Sequence, residues 1–308
     1  MGYRPGMRER PGHGGRPGHG GRPGPREGSI RLPDGRTLAY AEHGDPAGRP
    51  VLGCHGSPSS RLERHVEDPE DYRRWGVRFV VPDRPGFGRS DPQPGRRVAD
   101  WPDDVARLLD HLGIDEFSVL SLSGGAAYAL ACAHAFDSRV RSVGVLGGAP
   151  PPDVPWPWPG WVPRRLRAVA HRPSPAAALL RPVFAPIAQR PEAIPRYLQA
   201  RLNPADRRVI GRPGVRHVLA ETFAEGLRNG AAPLAEDRAL LFRPWGFPLS
   251  EVRQPVHLWH GTQDWQVPVA LGRVLAAMLP RCTAHWLAGE GHFAVFDHAA
   301  EVYGALRA

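Results

Sequence analysis

The sequence contains no lysine, few cysteines and no long apolar run. All 40 basic residues of the 308-residue chain are arginine, and the three cysteines, Cys54, Cys132 and Cys282, are widely spaced. No paired Cys-x-x-Cys pattern of a zinc site occurs, and free cysteines of this kind fit a reducing compartment. No apolar run approaches the roughly 18 residues of a membrane span, and none follows the basic N-terminus as in a signal peptide. These absences predict a cytoplasmic protein without stable membrane insertion.

The common cofactor motifs are also missing. No Gly-x-Gly-x-x-Gly follows the first predicted strand, no phosphate-binding P-loop occurs, and potential metal ligands do not cluster. The sequence therefore predicts an activity that needs neither a cofactor nor a metal ion. It leaves the oligomeric state open.

The net charge of +9 is the feature that would point to nucleic-acid binding. Residues 1–27 repeat a Gly-Arg-Pro-Gly-His theme and hold six arginines against two glutamates. This composition predicts a disordered tail over 1–27. The remaining charge is spread along the chain without a block of like charges, which favours an arginine-rich enzyme with no nucleic-acid partner. DNA binding through the tail is the alternative, and deleting the tail would test it.

Strand and helix patterns alternate along the rest of the chain. A hairpin around the Asp34-Gly35 turn comes first. Apolar runs predict strands at 49–54, 77–82, 117–122, 140–146, 255–260 and 283–287, and helical patterns cover 59–75, 98–112, 124–136, 267–279 and 292–307. Such alternation predicts an α/β fold, a mainly parallel sheet with helices on both faces. The Pro-rich and then helical stretch 149–251 is predicted to be a helical cap inserted into a core of 28–148 and 252–308.

The strongest chemical motif is SLSGG at 121–125. It follows an apolar strand and opens a helix, the context of a nucleophile elbow with Ser123 as the nucleophile. The positions two residues to either side, Ser121 and Gly125, are small, as the close passage of the chain requires. The alternative is a small-residue helix start that only packs against the sheet. In the elbow interpretation, the Gly124 N–H is one donor of an oxyanion hole.

Two further loops follow strands. In the sequence GCHGS the Ser57 N–H is predicted to be the second oxyanion donor, and His55 is not assigned as a base. In DRPGFGRSD, Asp83 and Arg84 are expected to pair or to satisfy backbone groups, and Asp91 is an improbable catalytic acid.

Two late motifs complete the set. Asp264 follows a strand in HGTQDWQVP, where a carboxylate reaches the edge of the sheet at which α/β sites lie. His292 follows the flexible glycines of GEGHF, which allow it to reach Ser123. The order Ser123, Asp264, His292 is that of the Ser…Asp…His triad.

Together, HGSPSSR, DRPGFGRSD, SLSGG, HGTQDWQVP and GEGHF resemble the α/β-hydrolase fold superfamily, in particular its capped serine hydrolases (esterase/lipase-like). The resemblance covers Ser29 to the C-terminus apart from the cap. It implies an α/β-hydrolase fold with a catalytic triad of Ser123, Asp264 and His292. It also implies an oxyanion hole formed by the amides of Ser57 and Gly124. Superfamily members with an aspartate nucleophile are excluded by the serine at 123.

The implied function is hydrolysis of a carboxylic ester of a small to medium, partly apolar acyl substrate. The same triad also serves amide, lactone, thioester and carbon–carbon bonds and perhydrolysis, because the fold does not settle the bond. A non-catalytic binding protein on the same fold is the alternative of another class.

Substrate contacts are predicted from aromatic residues. The rigid segment PWPWPGW contains Trp156, Trp158 and Trp161. Three roles are open for this segment: it lines an acyl pocket, it packs between cap and core, or it contacts lipid. Trp265, in HGTQDWQVP, is a fourth candidate. An apolar stripe at helical spacing over 215–227 predicts cap core, and the arginines at 164, 165 and 167 predict a solvated face or a site for an anionic group.

Overall fold

The computed structural model describes residues 24–152 and 202–306 and a few residues between 178 and 194. The described strands are β1 Arg26–Arg31, β2 Thr37–Gly44, β3 Arg49–Cys54, β4 Val77–Pro82, β5 Phe117–Leu122, β6 Val140–Leu146, β7 Val256–Gly261 and β8 Cys282–Leu287. The helices with described bounds are α1 Glu70–Arg74, α2 Trp101–Leu112, α3 Ala126–Ala135, α4 Pro204–Gly211, α5 Pro213–Gly226, α6 Ala232–Leu241, α7 Val269–Met278 and α8 Val295–Ala305. None of the helices in the described ranges is long and apolar enough to cross a bilayer.

The strands form one mixed sheet in the order β1-β2-β4-β3-β5-β6-β7-β8. β1 and β2 pair antiparallel, β2 also pairs antiparallel with β4, and the six strands from β3 to β8 are parallel to one another. The predicted mainly parallel sheet is thus confirmed. Parallel strands of this kind are covered on both faces, which is why all six residues of β5 are buried.

Helices cover both faces of the sheet. On one face α2, α3 and α7 pack through residues such as Leu108, Leu130 and Leu275. On the other face α1 and α8 pack through Tyr72 and Val302. The two apolar clusters lie on either side of the sheet, so the predicted three-layer arrangement is confirmed.

The N-terminal boundary differs from the prediction. The predicted hairpin is present, but β1 begins at Arg26, inside the tail that was predicted to run to residue 27. The physical reason is a long-range ion pair, in which the buried Arg61 guanidinium donates to the Glu27 carboxylate at 2.5 Å. Residues 1–23 lie outside the described part of the chain.

The predicted helix over 59–75 is also mostly wrong, because only Glu70–Arg74 is helical. Pro69 lies inside the predicted helix and is the N-cap of the short one that forms, and the preceding stretch makes backbone hydrogen bonds to distant side chains. The Ser60 N–H donates to Thr222 Oγ1 at 3.2 Å, and the Arg61 N–H donates to Asp83 Oδ1 at 2.6 Å. These contacts hold the stretch in an irregular path between sheet and helices.

The β6–β7 segment, which comprises residues 147–255, contributes α4, α5 and α6. Its described residues contain no strand. The predicted apolar stripe is buried at Val215, Leu219 and Phe223, which pack with Phe87 from the loop after β4 and with Phe293 from the loop after β8. The segment therefore lies over the carboxyl ends of the parallel strands. The predicted tryptophans 156, 158 and 161 and the arginines 164, 165 and 167 fall outside the described residues, and the division of the chain into core and cap stays a prediction.

Candidate active site

Ser123 lies in a strained turn between β5 and α3. Its φ is +55°, a left-handed value that is costly for a residue with a side chain and that recurs at functional sites. The neighbours two residues away are small for a visible reason. A Cβ added to Gly125 would collide with the carbonyl oxygen of Cys54, and Ser121 is buried with its hydroxyl donating to the Gly144 carbonyl at 3.2 Å. The local geometry is that of the predicted elbow.

Asp264 and His292 are joined by a short hydrogen bond. The imidazole Nδ1 donates to Asp264 Oδ2 at 2.6 Å, and both side chains are buried. The other carboxylate oxygen, Oδ1, accepts the N–H groups of Gln266 at 2.8 Å and Val267 at 2.9 Å. The carboxylate is therefore fixed from two sides, and donation from Nδ1 leaves Nε2 as the basic nitrogen of the ring.

The pKa of His292 reflects two opposing effects. Burial disfavours the charged imidazolium and lowers the pKa, but the Asp264 carboxylate raises it through its charge and its hydrogen bond. The buried Asp206 carboxylate raises it further. The attraction exceeds the cost of burial, so the pKa of His292 lies above its ordinary value.

Two buried residues of the β6–β7 segment hold the loops that carry Asp264 and His292. Asp206 Oδ1 accepts the N–H of Phe293 at 2.8 Å, and the Asn203 amide donates to the Gln263 carbonyl at 2.7 Å. The same amide donates to Asp206 Oδ2 at 2.7 Å. We call Asn203 and Asp206 the histidine-side anchor. Sequence analysis missed it, although Asn203 is a helix N-cap that is followed by Pro204, a visible helix-start pattern.

The predicted oxyanion loop is held by Arg84. Its guanidinium donates to the carbonyl oxygens of His55 and, at 3.0 Å, of Gly56. His55 Nε2 accepts the Arg84 N–H at 3.1 Å, so Nδ1 carries the proton that is donated to the Gly56 carbonyl at 2.9 Å. Burial and the Arg84 charge lower the pKa of His55 to about 3. The ring is neutral with both nitrogens engaged, which supports the prediction that His55 is not the base.

Asp237 on α6 binds the same loop from the other side. Its carboxylate accepts the hydroxyl of Ser57 at 2.9 Å, the Arg84 guanidinium at 3.0 Å, the Arg96 guanidinium at 3.2 Å and the Tyr128 hydroxyl at 2.7 Å. Burial would raise its pKa, but the two guanidinium charges hold the pKa well below the usual range. We call Asp237 and these four partners the serine-side anchor.

Asp83 and Arg84, which were expected to pair or to satisfy backbone groups, do so with different partners. Arg84 pairs with Asp237, and Asp83 pairs with Arg61 at 2.8 Å. Asp237 itself was missed. It lies three residues after the buried Leu234 and three before the buried Leu240, so a carboxylate within the apolar stripe of α6 was the available signal.

The two predicted oxyanion donors are brought together. A Cβ added to Gly124 would lie 3.3 Å from Ser57 Cβ, so the elbow and the loop after β3 adjoin. Ser57 and Gly124 are therefore neighbours, and their role as oxyanion donors stays a prediction.

Two cavities meet at Ser123. The larger has a volume of about 470 Å³, contains His292 and Ser57 in its wall, and is otherwise mainly apolar, with Leu219 and Phe223 from the β6–β7 segment. The smaller has a volume of about 80 Å³ and is lined by residues that include Gly124, Trp245 and Leu271. Ser123 is therefore accessible to a molecule with one large and one small part.

Trp265 is not in the wall of either cavity. It was predicted to contact substrate, but its side chain is 57% exposed. The next residue, Gln266, lines both cavities instead. The reason is local, because the Gln266 and Val267 amides turn inward to bind Asp264, and this turn leaves Trp265 outside.

The profile of the alpha/beta hydrolase fold family matches residues 49–299. A relative from Pseudomonas putida, 2-hydroxy-6-oxononadienedioate/2-hydroxy-6-oxononatrienedioate hydrolase 2, is 28% identical over 281 residues, 89% of this chain and 90% of the relative. The proline iminopeptidase of Xanthomonas citri is 35% identical over 114 residues, and the match spans only 35% of this chain and 35% of that relative.

Solved structures give the same fold. A thermophilic esterase from Thermogutta terrifontis superimposes with a TM-score of 0.63 at 24% identity, covering 92% of this chain and 97% of the other. Est816, an N-acyl homoserine lactone degrading enzyme, superimposes with a TM-score of 0.62 at 20% identity, covering 91% of this chain and 99% of the other. At these identities the likeness extends to the fold alone.

Proposed function

Because this chain belongs to the alpha/beta hydrolase fold family, we propose that it is a serine hydrolase that cleaves carboxylic esters through an acyl-enzyme. One observation carries the proposal. His292, which is hydrogen-bonded to Asp264, and the strained Ser123 line the same cavity. This combination of nucleophile, base and orienting carboxylate is the one that acyl transfer by serine requires.

The chemistry has two halves. His292 Nε2 removes the proton of Ser123 as the hydroxyl attacks the ester carbonyl, and it then returns that proton to the departing alcohol. Water attacks the acyl-enzyme in the same way, its proton passing through His292 to the Ser123 oxygen as the acid is released. The amides of Ser57 and Gly124 stabilise both tetrahedral oxyanions, and removal of one such donor typically costs roughly 10²–10³ in turnover. Asp264 keeps the ring in the correct tautomer and stabilises the imidazolium.

The cavities suggest the shape of the substrate. A wall of mainly apolar side chains around about 470 Å³ suits a small to medium acyl ester. The β6–β7 segment supplies much of this wall, so we assign to it the role of a cap that selects the substrate. The smaller cavity accepts the shorter part of the ester.

A second candidate is hydrolysis of a carbon–carbon bond. It is favoured by the Pseudomonas putida relative, which is named as a hydrolase of 2-hydroxy-6-oxononadienedioate and matches along 90% of its length. The proposed machinery would serve this bond equally, because the nucleophile, the base and the oxyanion donors are the same.

Labelling with a fluorophosphonate probe tests the nucleophile. Wild type is expected to be labelled and to hydrolyse 4-nitrophenyl esters of graded acyl length, whereas Ser123→Ala should lose both while its thermal unfolding is unchanged. Without the nucleophile, turnover should fall by about 10⁴-fold or more.

The other outcomes separate the candidates. Labelling without ester turnover would favour another bond, and a dienedioate substrate should then be tried. A protein that is folded and never labelled would be a binding protein, and the proposal would be wrong.

A further inference from the structure

Arg238 lies where the two cavities meet. It follows Asp237 on α6, lines both cavities beside Ser123, and donates from its terminal nitrogen to the Ser57 carbonyl. Ser57 is the residue whose N–H is assigned to the oxyanion hole. The guanidinium of Arg238 therefore lies against the predicted oxyanion loop, in the same cavity walls as Ser123.

Arg238 forms no salt bridge in the described part of the chain. The charge of the adjacent Asp237 carboxylate acts on it, but that carboxylate is already paired with the guanidinium groups of Arg84 and Arg96. Glu63 also lines the larger cavity, but it accepts the Gly56 N–H at 2.8 Å and the Ser59 hydroxyl at 2.6 Å. The cavity thus contains a cation whose charge the neighbouring groups leave uncompensated.

Unpaired hydrogen-bond donors gather at the same place. Arg238 Nε and Gln266 Nε2 are buried without a hydrogen-bond partner, and both residues line both cavities. Trp245 Nε1 in the smaller cavity is unpaired as well. The unpaired buried side-chain oxygen in the described ranges, Gln254 Oε1, does not line either cavity. Since buried N–H groups are costly without an acceptor, these three donors would be satisfied by acceptor atoms of a bound molecule.

A carboxylate supplies acceptors for these donors and a charge opposite to that of Arg238. It has two acceptor oxygens and a unit charge, and its geometry matches a guanidinium. We propose that Arg238 and Gln266 bind a carboxylate of the substrate, so that the preferred substrate is an ester whose acid part carries a second carboxylate close to the scissile carbonyl. This inference rests on the proposed function and narrows its substrate class.

Arg64 provides a matched control. It also lines the larger cavity and has an unpaired Nε, but its terminal nitrogen is bound to the Glu221 carboxylate at 2.7 Å. Its charge is therefore compensated, and its removal should not alter the preference for an anionic substrate.

The experiment compares three 4-nitrophenyl esters of nearly equal length: the hemiglutarate, its neutral methyl ester, and the pentanoate. Wild type is expected to prefer the hemiglutarate in kcat/KM by about 10-fold or more. Arg238→Met should lower that preference by about 10- to 100-fold, mainly through KM, because it removes a charge-assisted pair. Gln266→Leu should lower it less, Arg238→Lys should restore part of it, and Arg64→Met should leave it unchanged.

Two readouts separate a binding role from a purely structural one. Loss of the contact with Ser57 alone should slow fluorophosphonate labelling and the turnover of all three esters by a similar factor, whereas loss of anion recognition should lower kcat/KM for the hemiglutarate further than for the neutral pentanoate. The proposal would be wrong if wild type showed no preference for the hemiglutarate. It would also be wrong if Arg238→Met kept the wild-type preference.

A binding measurement keeps this inference distinct from the proposed function. Saturation-transfer NMR with glutarate on Ser123→Ala needs no turnover, and it should show binding that the additional change Arg238→Met abolishes. Equal glutarate binding with and without Arg238 would mean that water alone satisfies these donors, and the inference would be wrong even if the protein were an active esterase.

Discussion

The two anchors hold the two sides of the site by different physical means. The histidine-side anchor consists of Asn203 and Asp206, whose side chains bind backbone groups of the two loops after β7 and β8. The serine-side anchor is instead a cluster of charges, in which one buried carboxylate is shared by two guanidinium groups and two hydroxyls. The histidine-side anchor positions its loops through directional hydrogen bonds to their backbone. The serine-side anchor depends on a balance of buried charges, so substitutions in it should lower the stability of the protein more.

Loss of the carboxylate on the serine side is the most severe test of this contrast. Asp237→Asn would leave the guanidinium groups of Arg84 and Arg96 buried without their counter-charge. Breaking a buried pair in this way typically costs about 3–5 kcal/mol of stability. Urea unfolding should detect this loss, with Glu236→Gln, an exposed acid next along the helix, as the neutral control.

A loss below about 1 kcal/mol would mean that the cluster is not charge-balanced by Asp237. Tyr128→Phe removes one hydroxyl and no charge, so it should cost only about 1 kcal/mol and remain folded. The difference between the free energies of unfolding of Tyr128→Phe and Asp237→Asn measures how much of the lost stability is due to charge.

On the histidine side the expected effect is smaller. Asp206→Asn removes a carboxylate but keeps an acceptor for the Phe293 N–H, so about 1–3 kcal/mol of stability should be lost. The negative charge of Asp206 also raises the pKa of His292, so the acidic limb of kcat/KM should move to lower pH. Arg207→Gln, on the exposed face of the same helix, is the control. An unchanged acidic limb would mean that the charge of Asp206 does not affect the pKa of His292.

The pH dependence of wild type gives the smallest and most specific signal. Neutral His292 is the proposed base, so kcat/KM for a neutral ester should fall as the pH drops through its raised pKa, above the ordinary value of about 6.5. Asp264→Asn should move that limb to lower pH as well as reduce kcat. A wild-type limb at or below the ordinary histidine range would contradict the described balance of charge and burial.

The same shift has a defined sign for stability. Because the folded state raises the pKa of His292, it favours the protonated ring relative to the unfolded chain. This stabilisation is fully present below the unfolded-state pKa and is lost as the pH rises through the folded-state pKa. Urea unfolding of wild type and His292→Gln across that interval should therefore diverge most at the acidic end.

Local patterns allowed much of the site to be predicted. The turn at Ser123 and the loop at Ser57 follow from small residues placed directly after apolar strands, and these patterns need only near neighbours along the chain. The pairing of Asp264 with His292 was expected from their order, and the structure joins them at 2.6 Å. Their catalytic roles stay predictions.

The incorrect predictions and the unpredicted residues depend on contacts between residues far apart in sequence. The stretch before α1 is held in an irregular path by contacts with Thr222 and Asp83, and β1 begins early because Arg61 binds Glu27. No local pattern contains these partners. For the same reason sequence analysis did not identify Asp237, whose role depends on residues that lie more than a hundred positions away.

The location of one or more members of each anchor within the β6–β7 segment also limits how the protein can be re-engineered. Asn203, Asp206 and Asp237 all belong to the β6–β7 segment, yet their partners are loops that carry or support the reacting groups. Replacing this segment with that of another family member would change the residues that line the cavity. It would also remove the three side chains that hold the loops of the proposed site. A chimera should tolerate the transplant only if these three side chains are retained at matching positions.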